Sequence, residues 1–449
     1  MKKLISALTL IIGIYSNGYS QENTTPQISN DSLNKSITAI KKDLDIFKNM
    51  KITGWVQAQY QIADTSGAKN LDGGDFPASS NNRFMIRRGR IKFTYTAKNT
   101  QYVLQINATE RGINLTDFFA KYTEPWTQSF SLTVGVMNRP FGYEILQSSA
   151  DRESPERSRF TQILLPNERD LGASITYQPP HGKTLHGLKV DAGFYNGTGI
   201  YAPGTGTPAG AASGTTAVLG YTDYDYKKDF IGRIAYYNST KEDKIKYGIG
   251  VSHYNGGFVY QNNKVYKSTI NDATGKRWVL EDTTHKQFKS LVAPRVYYGA
   301  EGLFSIKTII GTTTLRGEYF FGTQSGTDIS SRSPNVAPSA TAPVYVRSFN
   351  AGYAYFIQRI AKTKHEVAFK YEWYDPNTKV SGKDLNGLNG MKEGEIKYSA
   401  VDIGYNLYLT PNVKFLVHYN MVTNETTKIK GFTKDLKDNI FTIRMQYRF

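Results

Sequence analysis

The residues in this chain that could do chemistry are mostly arginines. Arg83-Phe84-Met85-Ile86-Arg87-Arg88-Gly89-Arg90 is the densest basic stretch, and the segment 138–170 carries Arg139, Arg152, Arg157, Arg159 and Arg169 among Glu144, Asp151, Glu153, Glu156, Glu168 and Asp170. Guanidinium groups are permanent cations with a planar fork of N–H donors, suited to holding or passing anions. Nucleophilic or acid–base catalysis needs a different set. The six histidines, His181, His186, His253, His285, His365 and His418, have no recurring serine or acid spacing, so no catalytic residue is assigned. Gly182-Lys183-Thr184 imitates the end of a phosphate loop, but Tyr177 stands where the first glycine belongs. Asp72-Gly73-Gly74-Asp75 and Asp223-Tyr224-Asp225 read as solvated turns, and no metal or other cofactor is expected.

The elements that must position these arginines are strands. From Lys51 onward the hydrophobic period is two. In the last segment Phe441, Ile443, Met445, Tyr447 and Phe449 alternate with Thr442, Arg444, Gln446 and Arg448. Val413, Phe415, Val417, Tyr419 and Met421 repeat the pattern, as do Val367, Phe369, Tyr371 and Trp373, and Phe349, Ala351, Tyr353, Tyr355 and Ile357. These apolar sets are expected to face lipid. Sixteen such strands can be laid out from 51–62 to 439–449, with long connections after odd strands and short ones after even strands, the short 112–114 connection alone breaking the rule. That rhythm predicts an all-β, 16-stranded antiparallel transmembrane barrel. Closure is physically required, because an open edge in hydrocarbon leaves backbone groups without partners at several kcal/mol each.

Residues 1–20 read as a signal peptide: Lys2 and Lys3, an apolar run from Leu4 to Tyr15, and cleavage before Gln21. Residues 21–50 follow as a polar stretch and a short periplasmic helix. Its Leu33, Ile37, Ile40, Leu44 and Phe47 form an a/d heptad seam, either a coiled coil joining copies or a helix packed on the barrel. Residues 51–449 are the barrel, destined for the outer membrane and its lipid, and Phe449 resembles the terminal signal read by the barrel-assembly machinery. The chain has no cysteine and a net charge of +17, or 53 − 38 = +15 once Lys2 and Lys3 are removed. That excess points to small anions rather than nucleic acid in an exported protein.

Residues opposite the lipid face should line water. The candidates for lining the pore and binding anions on that rule include Arg90, Lys92, Arg233, Arg295, Arg316 and Arg444. The apolar phase changes across 83–95, and a bulge at Gly89 is expected; which of Arg87 and Arg88 faces inward is open. The connection 138–170 is either an outer loop latched by surface ion pairs or a segment folded into the barrel, and the inward fold is favoured because Phe141, Ile145, Phe160, Leu164 and Leu165 need cover. Rings of Arg and Lys favour anions over cations in a pore. A non-selective general porin is the alternative, and a structural or adhesive barrel is a third reading.

RFMIRRGRIKF, VGVMNRPFGYE, RESPERSR and LLPNERDLGASITY, in that order, resemble the phosphate-selective porins O and P. The resemblance covers roughly 51–449. It implies a sixteen-stranded, usually trimeric barrel that passes phosphate or polyphosphate through an arginine-lined constriction. By the same resemblance Arg87, Arg88, Arg90, Arg139, Arg157 and Arg159 are candidates for that lining.

Overall fold

A computed structural model describes residues 30–449 apart from 70–72, 200–222, 224, 274, 282–287 and 334–340. The signal-peptide reading, the aspartate turn at Asp72, Tyr224 and His285 lie outside the described residues. The chain divides into Met1–Asn49 and Met50–Phe449. In the first unit, helix α1 (Asn30–Lys48) carries the heptad seam, and Leu33, Ile37, Ile40, Leu44 and Phe47 are all exposed.

The second unit is built from strands. β1 (Met50–Ala63), β2 (Asn82–Ala97), β3 (Thr100–Thr109), β4 (Gly112–Thr123) and β5 (Phe130–Asn138) precede a short helix, α2 (Arg159–Leu164). β6 (Arg169–Tyr177), β7 (Leu188–Tyr195), β8 (Asp229–Ser239) and β9 (Ile245–Val259) follow it. After β10 (Val265–Asp272) and β11 (Gly275–Leu280) come β12 (Val292–Thr308), β13 (Gly311–Gly326), β14 (Val344–Ile360) and β15 (His365–Asp375). β16 (Tyr398–Thr410), β17 (Val413–Asn424) and β18 (Ile440–Arg448) end the chain. Successive strands pair antiparallel, β9 pairs directly with β12, and β18 returns to β1, so sixteen strands close a ring. The hairpin β10–β11 stands outside that ring. Its six to eight residues alternate too weakly to predict it, and it is held by Trp278 packing with Tyr345 at the start of β14 and with Leu385, Met391 and Ile429 from the long connections.

The burial pattern is inside out. Ile234, Ile249, Val251, Leu315, Phe369, Ile403 and Met445 are exposed on the outer face, while Gln59, Ser252, Glu318, Lys370, Asp402 and Arg444 are buried on the inner one. A soluble sandwich would reverse this; a barrel whose outer surface meets lipid requires it.

One predicted phase is wrong. Phe349, Ala351, Tyr353, Tyr355 and Ile357 of β14 are buried inward, and Phe356 faces out. Alternation gives two faces but not which one meets lipid, and here the inner face has an apolar partner, described below. The bulge is also displaced. β1 and β2 slip register between Gln57 and Ala58, opposite Arg88 and Ile86, so the extra residue is Arg87 and not Gly89.

Closure brings Phe449 onto Gly54, each backbone N–H donating to the other's carbonyl at 3.0 Å. A side chain at Gly54 would meet the Phe449 ring and the Arg90 carbonyl. Gly54→Val is therefore expected to cut the yield of folded, heat-modifiable barrel severalfold in an envelope fraction; an undiminished yield would show that the seam tolerates the added volume.

Candidate functional site

The connection between β5 and β6 lies inside the barrel. Its apolar residues explain why: Phe141, Ile145, Phe160, Leu164 and Leu165 are almost wholly buried against Tyr254, Tyr297, Phe320 and Tyr353 of the wall. Phe160 sits edge-on to Phe320 at 5.2 Å between ring centroids, and Phe141 does so at 4.9 Å. This cluster is what the inner face of β14 packs on. Truncating such a buried phenylalanine costs about 3–5 kcal/mol, so the apolar contacts alone hold this part of the loop firmly.

The loop also satisfies its own backbone. The Glu144 carboxylate accepts from the Ser158 amide at 3.0 and 3.1 Å. Arg157 donates from Nε to the Glu144 carbonyl at 2.7 Å and from Nη2 to the carbonyls of Ile145 and Gln147. Arg139 donates to the Pro166 carbonyl at 2.7 Å. Arg157 also pairs with Glu168. Two of the arginines expected to line a pore thus knit the loop together.

Others clasp it to the wall. The bulge turns both Arg87 and Arg88 inward, onto one carboxylate: Arg87 Nε is 2.8 Å from Glu156 Oε1 and Arg88 Nη2 is 2.6 Å from Oε2. Arg444 reaches the same group at 2.7 Å and donates to the Pro155 carbonyl at 2.6 Å. Burial alone would push the Glu156 carboxyl up, but these guanidinium groups outweigh it and hold it well below the usual carboxylate range. On the facing side of the barrel Arg316 pairs with Glu153 at 2.7 Å and stacks over Tyr143 and Tyr355. Lys414 donates to the Arg152 carbonyl at 2.8 Å, and Arg448 pairs with Asp151 at 2.7 Å.

The remaining candidates are scattered. Arg233 pairs with Glu301, and the fully buried Arg295 pairs with Asp229 and donates to the carbonyls of Gly197 and Ser333. Arg90 lies over Trp55 at 5.6 Å, and Lys92 is half-buried with no ion pair among the described residues. Arg159 donates its amide to Glu372, stacks over Tyr398 at 4.4 Å and stands 3.9 Å from Asp438.

Between the loop and the wall of β15–β18 and β1 lies an open polar cleft, the passage beside the loop. Lys69, Arg157, Arg159 and Lys370 line it against Glu156, Glu372, Asp402 and Asp438, with His418 and Asn420 between them. Lys370 sits on the polar face that alternation assigns to the lumen, and His418 shares the polar face of β17, while RESPERSR is the only signal for Glu153 and Glu156 as clasp partners. Local charge alternation cannot tell a surface latch from a wall clasp. Toward the short-turn end the balance changes. Lys92, Lys121, Lys189, Lys246, Lys307 and Arg359 occupy inward positions on β2, β4, β7, β9, β12 and β14, with Asp117, Asp191, Asp243 and Glu366 among the neighbouring acids. No cluster of His, Cys, Asp and Glu able to hold a metal occurs among the described residues.

A family model described as phosphate-selective porin O and P matches residues 47–281. Among solved structures, the high-pH structure of OprB from Pseudomonas putida aligns with a TM-score of 0.55 at 10% identity, over 92% of this chain and 97% of that chain. An anion-selective porin from Comamonas acidovorans aligns at 0.49 and 10% identity, over 89% of this chain and 99% of that one. At these identities the fold alone is shared. No curated protein matches the chain.

Proposed function

The chain belongs to the phosphate-selective porin O and P family, and as an outer-membrane porin of that family we propose that it lets small anions, phosphate among them, diffuse passively across the membrane. The observation that carries the anion preference is the collar toward the short turns, where six inward cations stand against the nearby acids Asp117, Asp191, Asp243 and Glu366. An anion there is stabilised from several sides while a cation meets like charge. The passage beside the loop is charge-balanced, so it contributes a narrow gate more than a bias.

Reversal potentials of the purified protein in a planar bilayer under a KCl gradient test this reading. Anion selectivity is expected; a reversal potential of zero would favour a general porin, and a cation-selective or silent barrel would overturn the proposal. The candidate set Arg87, Arg88, Arg90, Lys92, Arg139, Arg157, Arg159, Arg233, Arg295, Arg316 and Arg444 takes several roles within it. Lys92, with no ion pair among the described residues, and Arg159, 3.9 Å from Asp438, act on the solute; Arg87, Arg88, Arg139, Arg157, Arg316 and Arg444 hold the loop, Arg233 and Arg295 brace other parts of the interior, and Arg90 lies over Trp55.

We further propose that the barrel works as a homotrimer joined through α1, after cleavage of residues 1–20. Five exposed apolar residues at heptad spacing on one helix support this, since a lone helix of that length gains little by exposing them. Deleting 21–50 should shift the oligomer toward monomer in mild detergent; an unchanged oligomer would assign the assembly to the barrel wall.

A further inference from the structure

Behind the inward loop the positive charges are not balanced. Glu156 is the one carboxylate already shared by Arg87, Arg88 and Arg444. A fourth guanidinium, that of Arg152, adjoins this group closely enough for its charge to act on Arg88, Arg90, Arg157 and Arg444. Arg152 is 1% exposed, and its Nε, Nη1 and Nη2 all lack a hydrogen-bond partner among the described residues. Three more donor atoms nearby are buried and unpartnered: Arg90 Nε, Trp55 Nε1 and Ser149 Oγ. They belong to one neighbourhood. Trp55 and Arg90 are register partners on β1 and β2, and Gln57, two residues along from Trp55, donates to the Ser149 carbonyl at 2.9 Å.

Arginine cannot shed its proton to escape this situation, because its pKa stays above the range a protein can exploit. The carboxylates of Glu156 and Glu144 act on Arg152, but neither hydrogen-bonds to it, and Glu156 is already engaged by three other guanidinium groups. A buried, permanently charged fork with no bonded partner is strongly unfavourable unless a counter-charge accompanies it. Asn107 Oδ1, across the β2–β3 pair from Arg90, is a buried unpartnered acceptor, but all three orphaned atoms of Arg152 are donors, so its missing partner is an acceptor, and the local excess of charge says it is negative.

We propose that a small inorganic anion, chloride or a phosphate-like oxyanion, resides against Arg152, Arg90, Trp55 and Ser149 as a fixed counter-ion that holds the loop to the β1–β2 wall. This goes beyond passage of solutes. None of the four residues lines the passage beside the loop, and the unpartnered atoms are shielded from solvent, so the ion is resident rather than in transit. Bound to the folded loop and not to the released one, it stabilises by mass action.

The full-length protein in detergent micelles tests this, with its thermal unfolding midpoint read as loss of the compact electrophoretic band. Measurements are made in potassium gluconate, chloride and phosphate at constant ionic strength. The wild-type midpoint is expected to rise saturably by on the order of a few degrees in chloride or phosphate over gluconate, a much bulkier anion. The arm with the lower half-saturating concentration identifies the resident ion. Arg152→Met should abolish the increment and, in gluconate, should be at least as stable as the wild type, because it removes an unneutralised charge. A wild-type midpoint equal in all three salts, as water alone in the site would give, overturns the proposal, and so does an increment retained in Arg152→Met. Should Arg152→Met fail to fold, Trp55→Phe replaces it: the half-saturating concentration must rise severalfold, and an unchanged one is equally fatal. Loss of anion selectivity in a bilayer would leave this result standing, since that reading depends on the lysine collar.

Discussion

Replacing Glu156 with alanine is expected to raise single-channel conductance and to add flicker, because it removes the one carboxylate that Arg87, Arg88 and Arg444 share at 2.6–2.8 Å. Breaking a buried ion pair from one side costs about 3–5 kcal/mol, most of it the charges left behind uncompensated. Three guanidinium groups would then repel one another beneath the loop. The apolar cluster around Phe160 would still anchor the far limb, so the 148–157 limb should swing while α2 stays docked. The pH dependence has a definite sign. The Glu156 carboxyl is held well below its ordinary value, so its contribution is complete above that value and fades only as pH falls through the depressed one. Wild-type conductance should therefore survive acidification through the ordinary carboxylate range and rise only beneath it. Planar-bilayer recording checks both points. Unaltered conductance in the alanine variant would mean that hydrophobic contacts alone hold the loop.

Reversing three charges of the collar, Lys121→Glu, Lys246→Glu and Lys307→Glu, is expected to carry the reversal potential through zero to the cation-selective side. These residues sit on β4, β9 and β12, far apart around the ring and close to the short turns, so the substitutions should leave the loop clasps intact. Lys246 is half-exposed and pairs loosely with Asp243 at 3.1 Å, so little folding energy rests on it. Ionic strength supplies an internal control. The Debye length is about 10 Å at 0.1 M salt and about 3 Å at 1 M, so the effect should be large in dilute KCl and collapse in concentrated KCl. Selectivity that ignores the triple reversal would move the filter to the passage beside the loop.

How much of this was legible in the residues differs from strand to strand. In β18 every second residue is apolar and the others include Arg444 and Gln446, so both faces could be assigned at once, and the assignment holds. In β14 both faces carry apolar side chains. Nothing local told that Tyr353 and Tyr355 turn inward, because what decides it is Phe160 and Ser154, about two hundred positions away in the chain. The bulge was visible as a change of phase across 83–95, yet its position was set by cross-strand register with Gln57 and Ala58. The hairpin β10–β11 was invisible because its reason for forming, the packing of Trp278 on Tyr345 and Leu385, comes from other connections.

Periodicity, composition and the rhythm of connection lengths by themselves determined that this chain closes as a sixteen-stranded barrel with a polar interior, because side-chain alternation and the need to pair every backbone group in hydrocarbon are properties of the strand alone. Only the tertiary structure decided which arginines are spent on Glu156, Glu153, Asp229 and Glu301 and which stay open to a solute. Whether a charge is free depends on partners that the fold brings across the lumen from distant strands and from one inserted loop, and no local spacing encodes that.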